Sequence, residues 1–251
     1  MTPEVQIVPD AEALYRAGAA EFVHLAGEAV MAKGSFTVDL SGGSTPKGLY
    51  GLLATDPLLR GQVPWDTIHV FWGDERHVPP TDAESNYRMA HEALLAKVPI
   101  PPAQVYRIKS EASDASHAAD DYEQTLRVFF RVSAGQLPRF DLVFLGFGPE
   151  AHTASLFPGT KALHETKRLV VSNWVGKFFT DRMTMTPPIL NHAACVMFLV
   201  SGEEKALPLK AVLEGPYEPE QLPAQLIRPE HGRLLWLVDR DAASLLRAGQ
   251  H

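Results

Sequence analysis

Four polar clusters, each directly after a short apolar run, carry the residues that could do chemistry. Ser41-Gly42-Gly43-Ser44-Thr45 offers two glycines that let a backbone approach a ligand, three hydroxyls, and a following segment opened by Pro46 whose free amides would face an anion. Those features suit a phosphate cradle; the same residues would also serve as a tight turn capped by Thr45. It is not a Walker loop, because Lys47 is followed by Gly48 and not by Ser or Thr. Gly73-Asp74-Glu75-Arg76-His77 sets four ionisable side chains in a row, either an acid/base and substrate-clamping site or a solvated turn with an internal Asp–Arg bridge.

The third cluster runs from Gly146 to Ser155 and contains His152, an imidazole whose ordinary pKa suits a general base. Its opening fits G-x-G-x-x-G/A, yet Pro149 interrupts the match, Pro158 limits any helix, and no acidic residue ends the next strand. A dinucleotide site is therefore rejected. The fourth pairs Arg182 with Lys205: a guanidinium that grips phosphate with two donors and an ammonium near a helix start, or two exposed cations. A nucleophile elbow and the second histidine of H-E-x-x-H are both missing, and Cys195 lies in the apolar run Ala193 to Val200, so covalent and zinc mechanisms gain no support.

These clusters need a frame that brings strand ends together. Ala11 to Lys33 reads as one long helix, with Asp10 at its start and Gly34 at its end. Strands are expected at Phe36 to Leu40, Ile68 to Trp72, Val105 to Ile108, Asp141 to Leu145, Leu169 to Ser172, Cys195 to Val200 and Leu234 to Val238. Between them the pattern predicts helices from Pro46 to about Ala54, Ser85 to Lys97, Ser113 to Val132, Glu203 to Leu213 and Asp241 to Arg247. Ser201 and Glu204 read as a capping box, with Pro208 kinking or breaking the helix that follows. Near-continuous apolar strands alternating with amphipathic helices predict an α/β fold: a layered, largely parallel sheet with helices on both faces, where ligands bind beyond the carboxyl ends of the strands.

The 251 residues are read as a single α/β domain over 1–251, with prolines of 99–102 and 215–229 in surface loops. Hydrophobic residues make up 45% and charged residues 21%, enough for a substantial core. A net charge of −7 opposes binding to a polyanion, so nucleic acid is not an expected partner, while a small anion answers to a few local cations. One cysteine excludes an intrachain disulfide, and MTPEVQIVPD lacks the pattern of a signal peptide. With no apolar run of membrane-spanning length, the expectation is a cytoplasmic protein that is a monomer or small homo-oligomer.

Taken in order, Ser41-Gly42-Gly43-Ser44-Thr45-Pro46, Gly73-Asp74-Glu75-Arg76 with Ser85-Asn86-Tyr87-Arg88, Leu145 to Pro158, Arg182 to Thr186 and Gly202 to Lys205 resemble the 6-phosphogluconolactonase family over nearly the whole chain. The resemblance implies the fold shared with glucosamine-6-phosphate deaminase, ribose-5-phosphate isomerase and CoA transferase. It also implies hydrolysis of 6-phosphogluconolactone, in the oxidative pentose phosphate pathway, without a cofactor or metal. Under it, the loop from Ser41 to Thr45 with Arg182 and Lys205 would hold the phosphate, and His152 would activate water. Arg76 would position substrate or stabilise the developing oxyanion, and Asp74 would orient Arg76 or a water.

One departure matters. The family's usual loop has Asp-Gly immediately before the histidine, whereas this chain has Glu150-Ala151. A Cβ at 151 is costly if the backbone there needs a positive φ, and a displaced histidine would lose rate. A sugar-phosphate isomerase or deaminase on the same fold, and a non-catalytic sugar-phosphate binding protein, stay open as alternatives.

Overall fold

The computed structural model describes residues 3–247. The chain opens with β1 (Glu4–Val8) and the long helix α1 (Ala11–Lys33), capped at its start by the Asp10 side chain on the Ala13 amide and at its end by Gly34 in the left-handed region. Next come β2 (Phe36–Leu40), α2 (Ser44–Thr55), α3 (Pro57–Gln62), β3 (Ile68–Trp72), β4 (Asp74–Arg76), α4 (Asn86–Ala93) and α5 (Ala115–Phe130). The second half holds β5 (Leu142–Gly146), β6 (Val170–Val175), β7 (Thr180–Met185), α6 (Pro187–Asn191), β8 (Cys195–Val200), α7 (Ala206–Glu214) and β9 (Arg233–Asp239).

Six strands form a wholly parallel sheet in the order β1-β9-β8-β5-β2-β3. Every residue of β2 and β8 is buried; β8 accordingly reads as an unbroken apolar run, whereas β2 also buries Thr37 and Asp39 between its apolar residues. Helices cover both faces. Phe22 of α1 packs on Phe36 and Phe144 on one side, while Phe129 and Phe130 of α5 pack on Phe71 on the other. Strand order reverses between β2 and β5, and a doubly wound sheet opens its ligand crevice at such a reversal.

A second, antiparallel sheet, β4-β7-β6, was not expected. Its first strand lies inside the predicted loop after β3, and three residues of charge carry no period-2 apolar signal that would announce a strand. Glu123 of α5, 8% exposed, ties this sheet down by accepting from Arg127, Arg168 and the amides of Leu169 and Val170.

Other expectations need correction. Val105 to Ile108 makes a single bridge, Val70 with Val105, after which the Tyr106 ring stacks on Phe71. Residues 241–247 form turns, held by the Asp239 carboxylate on the Ala242 amide; so short a segment recovers little of a helix's nucleation cost. Ser201 is no cap either, for its hydroxyl donates to Asp239. Instead a 3-10 turn at Glu203–Lys205 leads into α7, which places Pro208 in the first turn, where its missing N–H costs nothing. Asp10, Gly34 and Ser85 cap as expected. Cys195 is buried, and burial pushes its thiol up to about 11, consistent with a core residue. No helix among the described residues is long and apolar enough to cross a membrane.

Candidate active site

At the carboxyl ends of β2, β3, β5 and β8 lies a cavity of about 210 Å³. Ser41, Gly42, Gly43, Ser44, Thr45, Asp74, Arg76, His152, Arg182 and Lys205 all line it, so every candidate from the sequence meets in one place. A larger cavity of about 420 Å³, edged by Arg139, Pro187, His192 and Arg228, contains none of them.

The first loop is built as much for geometry as for donors. Gly43 is the N-cap of α2 with φ 109°, in the region that favours glycine, and neither Thr45 nor any other side chain caps the helix. The α2 N-terminus is thereby left open to the cavity. Gly42 is pressed against Asn86, whose amide oxygen would lie 1.9 Å from an added Cβ. Ser41 turns out to be a strut: its hydroxyl accepts from the Gly146 amide at 3.0 Å and so joins the ends of β2 and β5 across the strand-order reversal.

Two arginines come together through β4 and β7, where Arg76 and Arg182 sit directly opposite in the antiparallel register. Like charges so placed repel unless an anion lies between them, which is a reason to expect one here. Arg182 is 8% exposed, its guanidinium between the rings of Phe157 and Phe178 at 5.2 and 5.0 Å. Burial lowers its pKa and Arg76 adds to that, while Asp74 opposes. Each of the two has a buried Nε with no partner among the described residues.

Asp74 does not orient Arg76 by direct contact. Its carboxylate accepts from the Ser155 hydroxyl at 2.5 Å and from Asn86 at 3.1 Å, whereas Arg76 donates to the Glu84 carbonyl. Two residues that sequence reasoning left without a role explain the Gly73 to Arg76 segment. Glu75, 1% exposed, accepts from the amides of Arg76, Asn86 and Tyr87 and from the Ser85 hydroxyl, fastening the start of α4. Asn86 then bridges Asp74 and the close approach at Gly42. A carboxylate followed ten residues later by a Ser-Asn helix start was the available signal.

His152 sits in a turn closed by bonds from the Gly148 amide to the His152 carbonyl at 2.9 Å and from the Ala151 amide to the Gly148 carbonyl at 3.0 Å. The imidazole lies flat over Gly148, where a Cβ would fall 1.9 Å from the ring, and stacks on Phe157 at 4.0 Å. Nδ1 meets Glu150 at 3.0 Å, so with Nδ1–H donated, Nε2 keeps the lone pair that can take a proton. Burial lowers the imidazole pKa to about 4; Arg182, Lys205 and Arg76 push the same way, and Asp74 against. At neutral pH the ring is uncharged and ready as a base. Lys205, in the 3-10 turn after Gly202, has a single ion pair among the described residues, a 3.6 Å contact with Glu204.

Ala151 has φ 56° and is fully buried, the geometry in which its Cβ is a steric cost. Ala151→Gly removes a penalty of ~1–2 kcal/mol against ~0.5–1 kcal/mol of added unfolded-state entropy, for a net gain near 1 kcal/mol. In a chain of this size that raises Tm by about 2–4 °C, measurable by calorimetry. Because His152 is already seated on Gly148, Phe157 and Glu150, kcat moves less than roughly threefold, far short of the ~10²-fold that 1 Å of misplacement costs. A Tm that falls would refute the strain argument.

Among the described residues no group of three His, Cys, Asp or Glu converges as a metal site would. Residues 9–236 match the family described as glucosamine-6-phosphate isomerases/6-phosphogluconolactonase. The chain is 41% identical to the 6-phosphogluconolactonase of Synechocystis sp. over 248 residues, 98% of this chain and 100% of that one. Among solved structures it is similar to the 6-phosphogluconolactonase from Trypanosoma cruzi, with TM-score 0.85 and 30% identity over 99% of both chains. A monomeric glucosamine-6-phosphate deaminase shares the fold, with TM-score 0.80 and 22% identity over 96% of this chain and 99% of that one.

Proposed function

Because the chain belongs to the family of glucosamine-6-phosphate isomerases and 6-phosphogluconolactonases, we infer that it acts as one of the latter, hydrolysing 6-phosphogluconolactone to 6-phosphogluconate in the pentose phosphate pathway. The observation that carries this is a relative of that activity, 41% identical along nearly the whole of both chains. The convergence of His152, two arginines and a lysine on one small cavity supports the division of labour that follows.

Arg182, Lys205 and the open α2 terminus hold the phosphate, whose binding energy orients the distant lactone carbonyl. His152 Nε2 takes a proton from water as the water oxygen attacks that carbonyl, and Arg76 stabilises the oxyanion that forms. The ring C–O bond then breaks, the departing oxygen takes the proton from the imidazolium, and the acid is released. Glu150 on Nδ1 holds the ring's orientation and favours the transient imidazolium. That contact supports a catalytic over a non-catalytic reading at Glu150.

The test uses freshly generated 6-phosphogluconolactone, with acid release followed against spontaneous hydrolysis, and glucosamine 6-phosphate in parallel with ammonia as the readout. Acid release well above background with no ammonia is expected. A rate equal to background, or ammonia release, would reject the assignment.

A further inference from the structure

The tip of the β6–β7 hairpin lies against the site and is not used by the mechanism above. It carries a 3-10 turn at Gly176–Phe178, and two of its side chains reach inward. The Lys177 ammonium pairs with one oxygen of Glu150, whose other oxygen meets His152 Nδ1. Phe178 lies against the Arg182 guanidinium, which also faces Phe157, and Phe157 stacks on His152. The contacts thus close a ring: His152, Glu150, Lys177, Phe178, Arg182, Phe157 and back to His152.

Glutamate at 150 makes this closure possible. A carboxylate one methylene longer than aspartate's can span from the imidazole to a cation on a different element. A carboxylate pulled by a single partner has a soft orientation, whereas one held at both oxygens is fixed; the imidazole it bonds inherits that fixity. The Lys177 side chain is 58% exposed, so the pair adds little to stability.

We propose that Lys177 is a positioning residue for the lactonase reaction, holding Glu150 so that His152 presents Nε2 to the attacking water. The proposal rests on the function assigned above, but one of its tests does not. The charged groups around the imidazole are Glu150, Asp74, Arg182, Lys205 and Arg76, and removing Lys177 leaves the Glu150 charge less neutralised. The His152 titration, followed by NMR, should therefore move upward from about 4 in Lys177→Gln.

In the assay, Lys177→Gln is expected to lower kcat about 10-fold with KM and 6-phosphogluconate affinity unchanged, the signature of misaligned chemistry and not of lost binding. Lys177→Arg should restore most of it. In a Glu150→Gln background, Lys177→Gln should cost nothing further, since there is then no carboxylate to hold. A kcat within twofold of the unaltered chain together with an unmoved titration would overturn the proposal. So would a loss confined to KM, which would make Lys177 a substrate contact. An unaltered chain that fails to hydrolyse the lactone would overturn the function instead, and the imidazole titration would still decide Lys177.

Discussion

Replacing His152 by alanine is expected to lower kcat by ~10²–10⁴-fold, the range that one general base supplies, while 6-phosphogluconate still binds. Binding should survive because the phosphate contacts are assigned to Arg182, Lys205 and the α2 terminus, on other elements of the fold. The pH profile gives a second readout. A base must be deprotonated, so kcat/KM should climb through about pH 4 and lie flat across neutrality, since burial holds the imidazole that low. An acid limb centred near 6.5, the ordinary histidine value, would show that the ring is solvated in the working enzyme.

The same depressed value makes His152 a source of acid sensitivity. Between pH 6.5 and about 4 the unfolded chain binds a proton that the folded chain refuses, so stability falls as pH drops through that window. The full effect is on the order of 3 kcal/mol. His152→Ala should lack this part of the acid dependence. Near wild-type turnover in a folded His152→Ala would require another base.

Arg182→Ala is expected to reduce kcat/KM for 6-phosphogluconolactone by about 10²-fold, as loss of buried charge-assisted hydrogen bonds costs ~2–5 kcal/mol. Unphosphorylated gluconolactone, expected to react poorly with the unaltered chain as well, should be nearly unaffected. Crossing the two enzymes with the two lactones isolates the guanidinium–phosphate interaction from the packing that Arg182 also gives Phe157 and Phe178. Equal losses on both lactones would place Arg182 at the carbonyl and not at the phosphate.

Local sequence determined the parallel α/β layout. Strands buried on both faces are largely apolar, and helices between them must show their own period, so Cys195–Val200 and Ala11–Lys33 could be recognised residue by residue, and Phe36–Leu40 as a short segment whose Phe36, Val38 and Leu40 outweigh Thr37 and Asp39. It determined the candidate residues too, because loops after parallel strands are where such folds bind ligands, and ten residues picked on that ground line one cavity. The possible left-handed position at Ala151 came from the family resemblance, whose usual loop has glycine there, and φ 56° bears it out.

What only the tertiary structure decided is who meets whom. Arg76 and Arg182 become neighbours through a ladder between two strands, one of three charged residues and the other far along the chain; such pairing has no local signature. Asp74 could not be parted from Arg76 by reading Gly73 to His77, because its partners Ser155 and Asn86 arrive from other loops. Ser41 looked like a ligand donor, but its hydroxyl donates to the Gly42 carbonyl and accepts from the Gly146 amide. The Glu150 carboxylate met its second partner, Lys177, only when a hairpin brought it there. Side-chain contacts of this kind are set by the closing of long loops, and their physics acts between atoms that the sequence holds far apart.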